Sequence, residues 1–140
     1  MNNLKYLDSG IVLESLFATA PSSLQATAIL KAIESGKEYA IISPLNLSEI
    51  FYILTHRKKL SFDKVEIALQ KLLEFKGLTF ADLDNSLIRS SIPLACKFQI
   101  DLTDAVNKKI MDQFQINEIY SLDGHFDKFR DIIRLTQLKI

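Results

Sequence analysis

The stretch "LKYLDSGI", residues 4–11, carries an apolar strand straight into a carboxylate, with no polar residue between Leu7 and Asp8. "NEIYSLDGHF", residues 117–126, repeats the arrangement, with Asp123 a few residues beyond Ile119 and Tyr120. Two acids at strand exits are either two helix caps or two parts of one site, and the elements between them bear on the choice. "SGIVLESLF" reads as a helix that stops before Pro21. "SSLQATAILKAIESG" reads as a second, with Leu24, Ala28, Ile29 and Ile33 at helical spacing and a stop at Gly36. "EYAIIS" is a buried strand. Ser43 then caps a helix that has Pro44 at its first position and Leu47, Ile50, Phe51 and Leu54 along one face. "SFDKVEIALQKLLEFKG" is amphipathic, with Val65, Leu69, Leu72 and Leu73 inward, and "LTFA" is a third strand. "NSLIRSSIPLACKF" reads as a helix that Pro93 kinks or shifts, "TDAVNKKIMDQF" as a shorter one, and "EIYS" and "IIRL" as the last strands. Strands alternating with helices predict one α/β domain over residues 1–140, with a mostly parallel sheet of roughly five strands.

A chain of 140 residues, 48% hydrophobic and 24% charged, has the composition of a folded domain rather than a disordered segment. Lys plus Arg and Asp plus Glu each total 17, so no global field attracts phosphate, and any nucleic-acid contact must rest on a local basic patch. Arg57, Lys58 and Lys59, in the run "HRKK", are either such a patch or a solvated helix end. The single Cys96 cannot form an internal disulfide and fits a reducing compartment. Asp8 interrupts the first apolar stretch too early for a signal peptide, and no apolar run approaches ~18 residues, so a cytoplasmic protein is expected. Cys96 is expected in the core, His125 exposed, and Lys108 and Lys109 on a solvated face.

In an open parallel sheet the strand C-terminal ends share one edge, where ligands bind. Asp8 and Asp123 leave their strands on that edge. Glu49, in the second turn of the helix after the second strand, rises from the same edge and projects away from the Leu47/Leu54 stripe, beside Leu45 and His56. Asp104 begins the helix that feeds the fourth strand, and topology alone leaves its edge open. Each acid has an ordinary use when taken singly: Asp8 as an N-cap, Asp104 as a first-turn complement to a helix dipole, Asp123 as a turn residue before Gly124, Glu49 as a solvated helix acid. Those uses give no reason for three acids on one sheet edge.

"LKYLDSG", "SPLNLSEIFYIL", "LTDAVNKKIM" and "EIYSLDGHFDKF" resemble, in order and spacing, the four acidic motifs of PIN-domain ribonucleases, a group that includes toxins of many prokaryotic toxin–antitoxin pairs. The resemblance spans essentially the whole chain. It implies a three-layer α/β/α sandwich and a metal-binding set of Asp8, Glu49, Asp104 and Asp123, with Asp104 brought into the common cleft. Asp127 matches a further acid of some members. Ser9 and Ser121 stand beside the acids, Ser121 keeping the hydroxyl of a usual threonine, whereas Gly10 replaces a usual serine or asparagine. The resemblance also implies a homodimer and an antitoxin partner.

Carboxylates around a hard cation favour Mg²⁺ or Mn²⁺, which acidify water and stabilise charge on phosphorus. The implied activity is endoribonucleolytic hydrolysis of RNA, leaving 5′-phosphate and 3′-hydroxyl ends. Four glycines form no phosphate-cradling loop, and two histidines with one cysteine supply no ordinary structural zinc site. A phosphatase using Asp8 as nucleophile would need an acid at Gly10, and a phosphoacceptor receiver would need paired acids after the first strand. The remaining rival is a non-catalytic module that holds RNA or a protein on the same scaffold.

Overall fold

A computed structural model describes residues 3–17 and 21–139. Its elements, in order, are β1 (Lys5–Leu7), α1 (Ser9–Phe17), α2 (Pro21–Ser35), β2 (Ala40–Ile42), α3 (Pro44–Tyr52), α4 (Phe62–Leu73), β3 (Leu78–Phe80), α5 (Asn85–Phe98), α6 (Leu102–Gln113), β4 (Glu118–Tyr120) and β5 (Ile133–Leu135). A π-helical turn, Ile53–Arg57, extends α3, and a 3₁₀ turn, Gly124–Lys128, follows β4. The connection in which the first helix was expected to stop before Pro21 lies outside the described residues. The five strands are all parallel, in the order β3-β2-β1-β4-β5, so β1 is central and both its neighbours deliver their C-terminal ends beside Asp8.

Strand side chains alternate between faces, and the chain uses that period to build two cores. Tyr6, Ile41 and Ile119 are in register across the central strands and pack with Ala105, Val106, Ile110 and Met111 of α6 and Ala95 of α5. Leu7, Ile42 and Tyr120 face the other way, onto Ile11 and Val12 of α1, Ile29 and Ile33 of α2, Ile50 and Leu54 of α3 and its extension, and Val65 and Leu72 of α4. Helices therefore cover both faces, so the central strands bury side chains on both sides, Tyr6 and Leu7 of β1, Ile41 and Ile42 of β2, and Ile119 and Tyr120 of β4. The three-layer sandwich expected from the motifs is present.

Several helical faces sit one position away from their expected place. The inner stripe of α2 is Ser23, Ala26, Ile29 and Ile33, so Leu24 (74% exposed) and Ala28 point outward. In α4 only one of two adjacent leucines can face inward; Leu72 does and Leu73 does not. Phe51 is likewise exposed, with its ring edge-on to Phe62. Helix α5 starts at Asn85 with Asp84 as its cap and runs through Pro93; Pro93 and Arg89, whose carbonyl loses its helical partner, are both exposed. Cys96 is exposed, because the buried stripe of α5 is Ser91 and Ala95 and the next residue turns away by ~100°. Lys108 is buried rather than solvated: Asp112 and Asp131 bind its ammonium, which lies 5.3 Å from the Phe129 ring centroid.

Gly77 enters β3 against the backbone of its neighbours, its N–H donating to the Ile33 carbonyl and its carbonyl accepting from Ala40 N–H. A Cβ there would lie 2.0 Å from the Glu38 carbonyl oxygen and 2.8 Å from that of Ile33. Gly10, in the first turn of α1, has nothing within 4 Å of the same added atom. Gly77→Ala should therefore cost about 2–3 kcal/mol or more, whereas Gly10→Ala should stabilise by roughly 0.5–1 kcal/mol through helix propensity. Urea unfolding of the two variants measures both signs.

Candidate metal centre

Parallel pairing places the exits of β1 and β4 side by side, and a chain of hydrogen bonds fixes what leaves them. Asp8 N–H donates to the Tyr120 carbonyl at 3.0 Å, prolonging the ladder by one bond. Ser121 Oγ donates to Asp8 Oδ2 at 2.7 Å, and Ser9 N–H donates to Asp8 Oδ1 at 2.9 Å. Asp123 N–H donates to Ser121 Oγ at 2.9 Å, and Asp123 Oδ1 accepts from His125 N–H at 2.9 Å, starting the 3₁₀ turn. The serines that follow β1 and β4 thus anchor the first and fourth acids.

Asp8, Glu49, Asp104 and Asp123 all line one open cleft with Ser9, Gly10, Leu13, Ile53, Asp101 and Leu122. Topology left Asp104 open; the structure brings it to the edge of the other acids, because α5 carries the chain away from β3 and α6 begins beside the cleft. Asp104 stands in the first turn of α6, with a buried side chain and an Oδ2 that has no hydrogen-bond partner. Asp101, the N-cap residue of α6 without a capping hydrogen bond of its own, adds a fifth carboxylate that the motif spacing did not single out.

His56 turns out of this group: its ring stacks on Tyr52 at 4.4 Å. Arg57 and Lys58 line a depression that shares Gly10, Leu13, Ile53 and Leu122 with the acidic cleft, and Lys58 Nζ lies 5.2 Å from the Phe17 ring centroid. Lys59 lies outside that lining, on a left-handed turn with φ of 54°. Asp127 is held by both oxygens, Arg134 Nε donating at 3.0 Å and Nη2 at 3.1 Å, while Nη1 donates to the Ser121 carbonyl at 3.3 Å.

Beneath the acids lies a polar network built on side chains other than the acids themselves. Asn46 Nδ2 donates to Ser9 Oγ at 2.9 Å, and Asn46 Oδ1 accepts from Ser43 N–H at 3.2 Å, a reciprocal capping box at the start of α3. The Tyr6 hydroxyl sits between two amides, 2.7 Å from Asn46 Oδ1 and 2.6 Å from Asn107 Oδ1. These groups are buried, and they lock the starts of α1, α3 and α6 to β1, which sets Asp8, Glu49 and Asp104 relative to one another. A Tyr in a buried strand opposite an Asn three residues after Asp104 was the available signal; helical and strand spacing treats such positions as core.

Burial dominates the titration of this cleft. The Asp8 carboxyl is pushed up from 3.8 to about 6 by burial, with Glu49 and Asp123 raising it further against the hydrogen bonds from Ser121 and Ser9. Asp104 is pushed up to about 8, again first by burial and then by the charges of Asp8 and Asp123. Asp8 and Asp104 this reluctant to ionise, with a buried Asp104 oxygen left without a hydrogen bond, match the needs of a cation; oxygen donors of this kind suit Mg²⁺ or Mn²⁺.

No family model matches this chain, and no curated protein sequence does. Solved structures do. The sarcin–ricin-loop-cleaving toxin VapC20 of Mycobacterium tuberculosis is similar at a TM-score of 0.72, with 16% identity over 89% of this chain and 93% of that one. VapBC2 of Rickettsia felis, bound to a promoter DNA fragment, gives 0.66 with 14% identity over 94% and 97%. A toxin–antitoxin complex from Klebsiella pneumoniae gives 0.60 with 14% identity over 92% and 95%. The chain has a PIN-type fold. The similarity to these PIN-like structures extends over 89–94% of this chain. No helix among the described residues of this PIN-like domain is long and apolar enough to cross a membrane.

The raised carboxyls set a pH dependence with a definite sign. Asp8 and Asp104 bind their protons more tightly folded than unfolded, so their contribution to stability is complete below 3.8 and is lost as pH rises through about 6 and about 8 respectively. In metal-free buffer the melting temperature should fall across that window. Asp104→Asn should raise it at neutral pH, on the order of 4 °C for each kcal/mol of repulsion relieved, and flatten the upper half of the profile. A first-turn acid serving only the helix dipole would give the opposite sign. Thermal unfolding in chelator-treated buffer measures it.

Proposed function

We propose that this protein is a metal-dependent endoribonuclease that hydrolyses RNA phosphodiester bonds, acting as the toxin of a toxin–antitoxin pair. The observation that carries the reading is the convergence of Asp8, Glu49, Asp104 and Asp123 on one cleft, with Asp104 Oδ2 buried and without a hydrogen-bond partner. The four acids would hold Mg²⁺ or Mn²⁺, which when bound makes water a stronger nucleophile at neutral pH and offsets charge on the phosphate. The chain's own contributions are to hold those carboxylates in place. Ser121 and Ser9 orient Asp8; the capping box of α3 sets the helix that carries Glu49; the packed start of α6 presents Asp104. Asp127, occupied by Arg134, ties the loop after β4 to β5 and is assigned to that support rather than to the cation.

The RNA would lie along the groove that runs from the acids past Gly10, Leu13 and Ile53 to Arg57 and Lys58, with Lys59 nearby. Gly10 leaves open space at this passage, where an added Cβ would meet nothing within 4 Å. A cytoplasmic location, a homodimeric state and restraint by an antitoxin protein belong to the same proposal. The antitoxin draws on the toxin–antitoxin complexes that share the fold; the location and the homodimer rest on the sequence and its motif resemblance.

Two experiments test the reading. Asp8→Asn, Glu49→Gln, Asp104→Asn and Asp123→Asn should each lower RNA cleavage by roughly 100-fold, the effect of losing about 2.7 kcal/mol of transition-state stabilisation. Cleavage should require Mg²⁺ or Mn²⁺ and stop with chelator. RNA bound tightly but left intact by the wild-type protein would instead favour the non-catalytic RNA-binding module. Neutralising Arg57, Lys58 and Lys59 should weaken RNA binding and reduce its salt slope by ~0.7 for each single-strand phosphate that no longer meets a cation; an unchanged slope returns the run to a solvated helix end.

A further inference from the structure

Asp104 Oδ2, Asp123 and His125 form the one group among the described residues whose potential ligand atoms all lie within 4.8 Å of one another. His125 Nδ1 lies 3.1 Å from Asp123 Oδ1 and 3.6 Å from Asp104 Oδ2. Donors at about 2.1 Å from one ion are about 3.0 Å apart at a right angle and about 3.4 Å apart at the tetrahedral angle, the spacing of ligands around Zn²⁺ or Mn²⁺. The 3.1 Å separation falls in that range and the 3.6 Å separation lies just beyond it, so a small movement of the ring or of the Asp104 carboxylate would bring the group to ligand spacing.

The ring is held there by the backbone. Asp123 Oδ1 accepts from His125 N–H, closing a turn through Gly124 that points the imidazole back at the carboxylate that caps it. Across the cleft, Asp104 is nine-tenths buried and its Oδ2 has no hydrogen-bond partner, so the oxygen is desolvated without a hydrogen bond in return. The His125 side chain is 47% exposed, so the rim of this group is accessible to water and phosphate.

We propose that His125 is a metal ligand, completing with Asp104 and Asp123 a mixed nitrogen–oxygen site that takes first-row divalent transition ions in preference to Mg²⁺. This rests on the carboxylate metal site proposed above and adds the nitrogen donor. Imidazole binds Mn²⁺, Co²⁺, Ni²⁺ and Zn²⁺ more strongly than it binds Mg²⁺, whose preferred shell is carboxylate, water and phosphate oxygen. A nitrogen ligand on the rim would thus move selectivity toward the softer ions without altering the acid set. His56, stacked on Tyr52, is outside the cluster and serves as the internal control.

The test reads metal binding directly rather than cleavage. Mn²⁺ loaded into the wild-type protein should show ¹⁴N coupling by electron spin-echo envelope modulation, and His125→Asn should abolish it while His56→Asn retains it. By calorimetry, His125→Asn should weaken Co²⁺ and Ni²⁺ at least tenfold and change Mg²⁺ affinity by less than threefold. Mn²⁺ binding that is lost in Asp104→Asn yet shows no nitrogen coupling in the wild type overturns the histidine ligand and leaves the carboxylate site standing. Failure of the wild-type protein to bind any of these ions overturns both.

Discussion

The hydrogen bond from Ser121 Oγ to Asp8 Oδ2, at 2.7 Å, joins the exits of β1 and β4 across the middle of the sheet. It can form because the strands are parallel and adjacent, with Leu7 opposite Tyr120, so that the residue after each strand emerges at the same level. Ser121 passes the connection on by accepting from Asp123 N–H, which aligns the loop that carries the fourth acid and His125. Two carboxylates far apart in sequence are thereby positioned by one hydroxyl. An antiparallel pairing of the same strands would send the two acids to opposite edges.

The two edges of the sheet treat their ionisable groups differently. At the N-terminal edge, Lys5 Nζ lies 3.1 Å from Glu38 Oε2, and Glu38 Oε2 also accepts from the Tyr120 hydroxyl at 2.6 Å, so each buried charge there has a partner. At the C-terminal edge five carboxylates line a cleft whose lining contains neither Lys nor Arg. A chain with 17 acids and 17 bases has enough cations to neutralise that cleft, but it places several of them elsewhere: on Glu38, on Asp112 and Asp131, and on Asp127. Buried charge of one sign is costly unless a counter-ion comes from outside. The asymmetry is what a cation site requires, and it supports the metal site proposed above.

What supports the cleft is polar where a PIN-type core could have been apolar throughout. Tyr6, Asn46, Asn107 and Ser43 are fully buried, and with Ser9 they bridge β1 to the starts of three helices. A packed hydrocarbon core resists compression but allows helices to slide by fractions of an ångström; directed hydrogen bonds fix them along their axes. Glu49 lies one turn beyond Asn46, and Asn107 one turn beyond Asp104. The network therefore acts on the distances between acids rather than on the acids themselves.

Strand order aside, the architecture was legible in local chemistry: apolar runs of three or four residues, Ser43–Pro44 as a helix start, and amphipathic segments between them determined five strands and six helices and placed Asp8, Glu49 and Asp123 on one edge. Local spacing failed wherever two adjacent apolar residues competed for one inward position, as at Leu72 and Leu73, because periodicity gives the width of a helical face but not its rotation. Lys108 was misread for a related reason, since Phe129 and Asp131, which cover it, belong to a different element. The edge on which Asp104 falls, the bare Oδ2 it presents there, the turn that aims His125 at it, and the Tyr6–Asn46–Asn107 network belong to the tertiary structure. Each depends on side chains from different elements meeting at distances near ~3 Å, and a distance between elements has no expression in the spacing of residues along a single one.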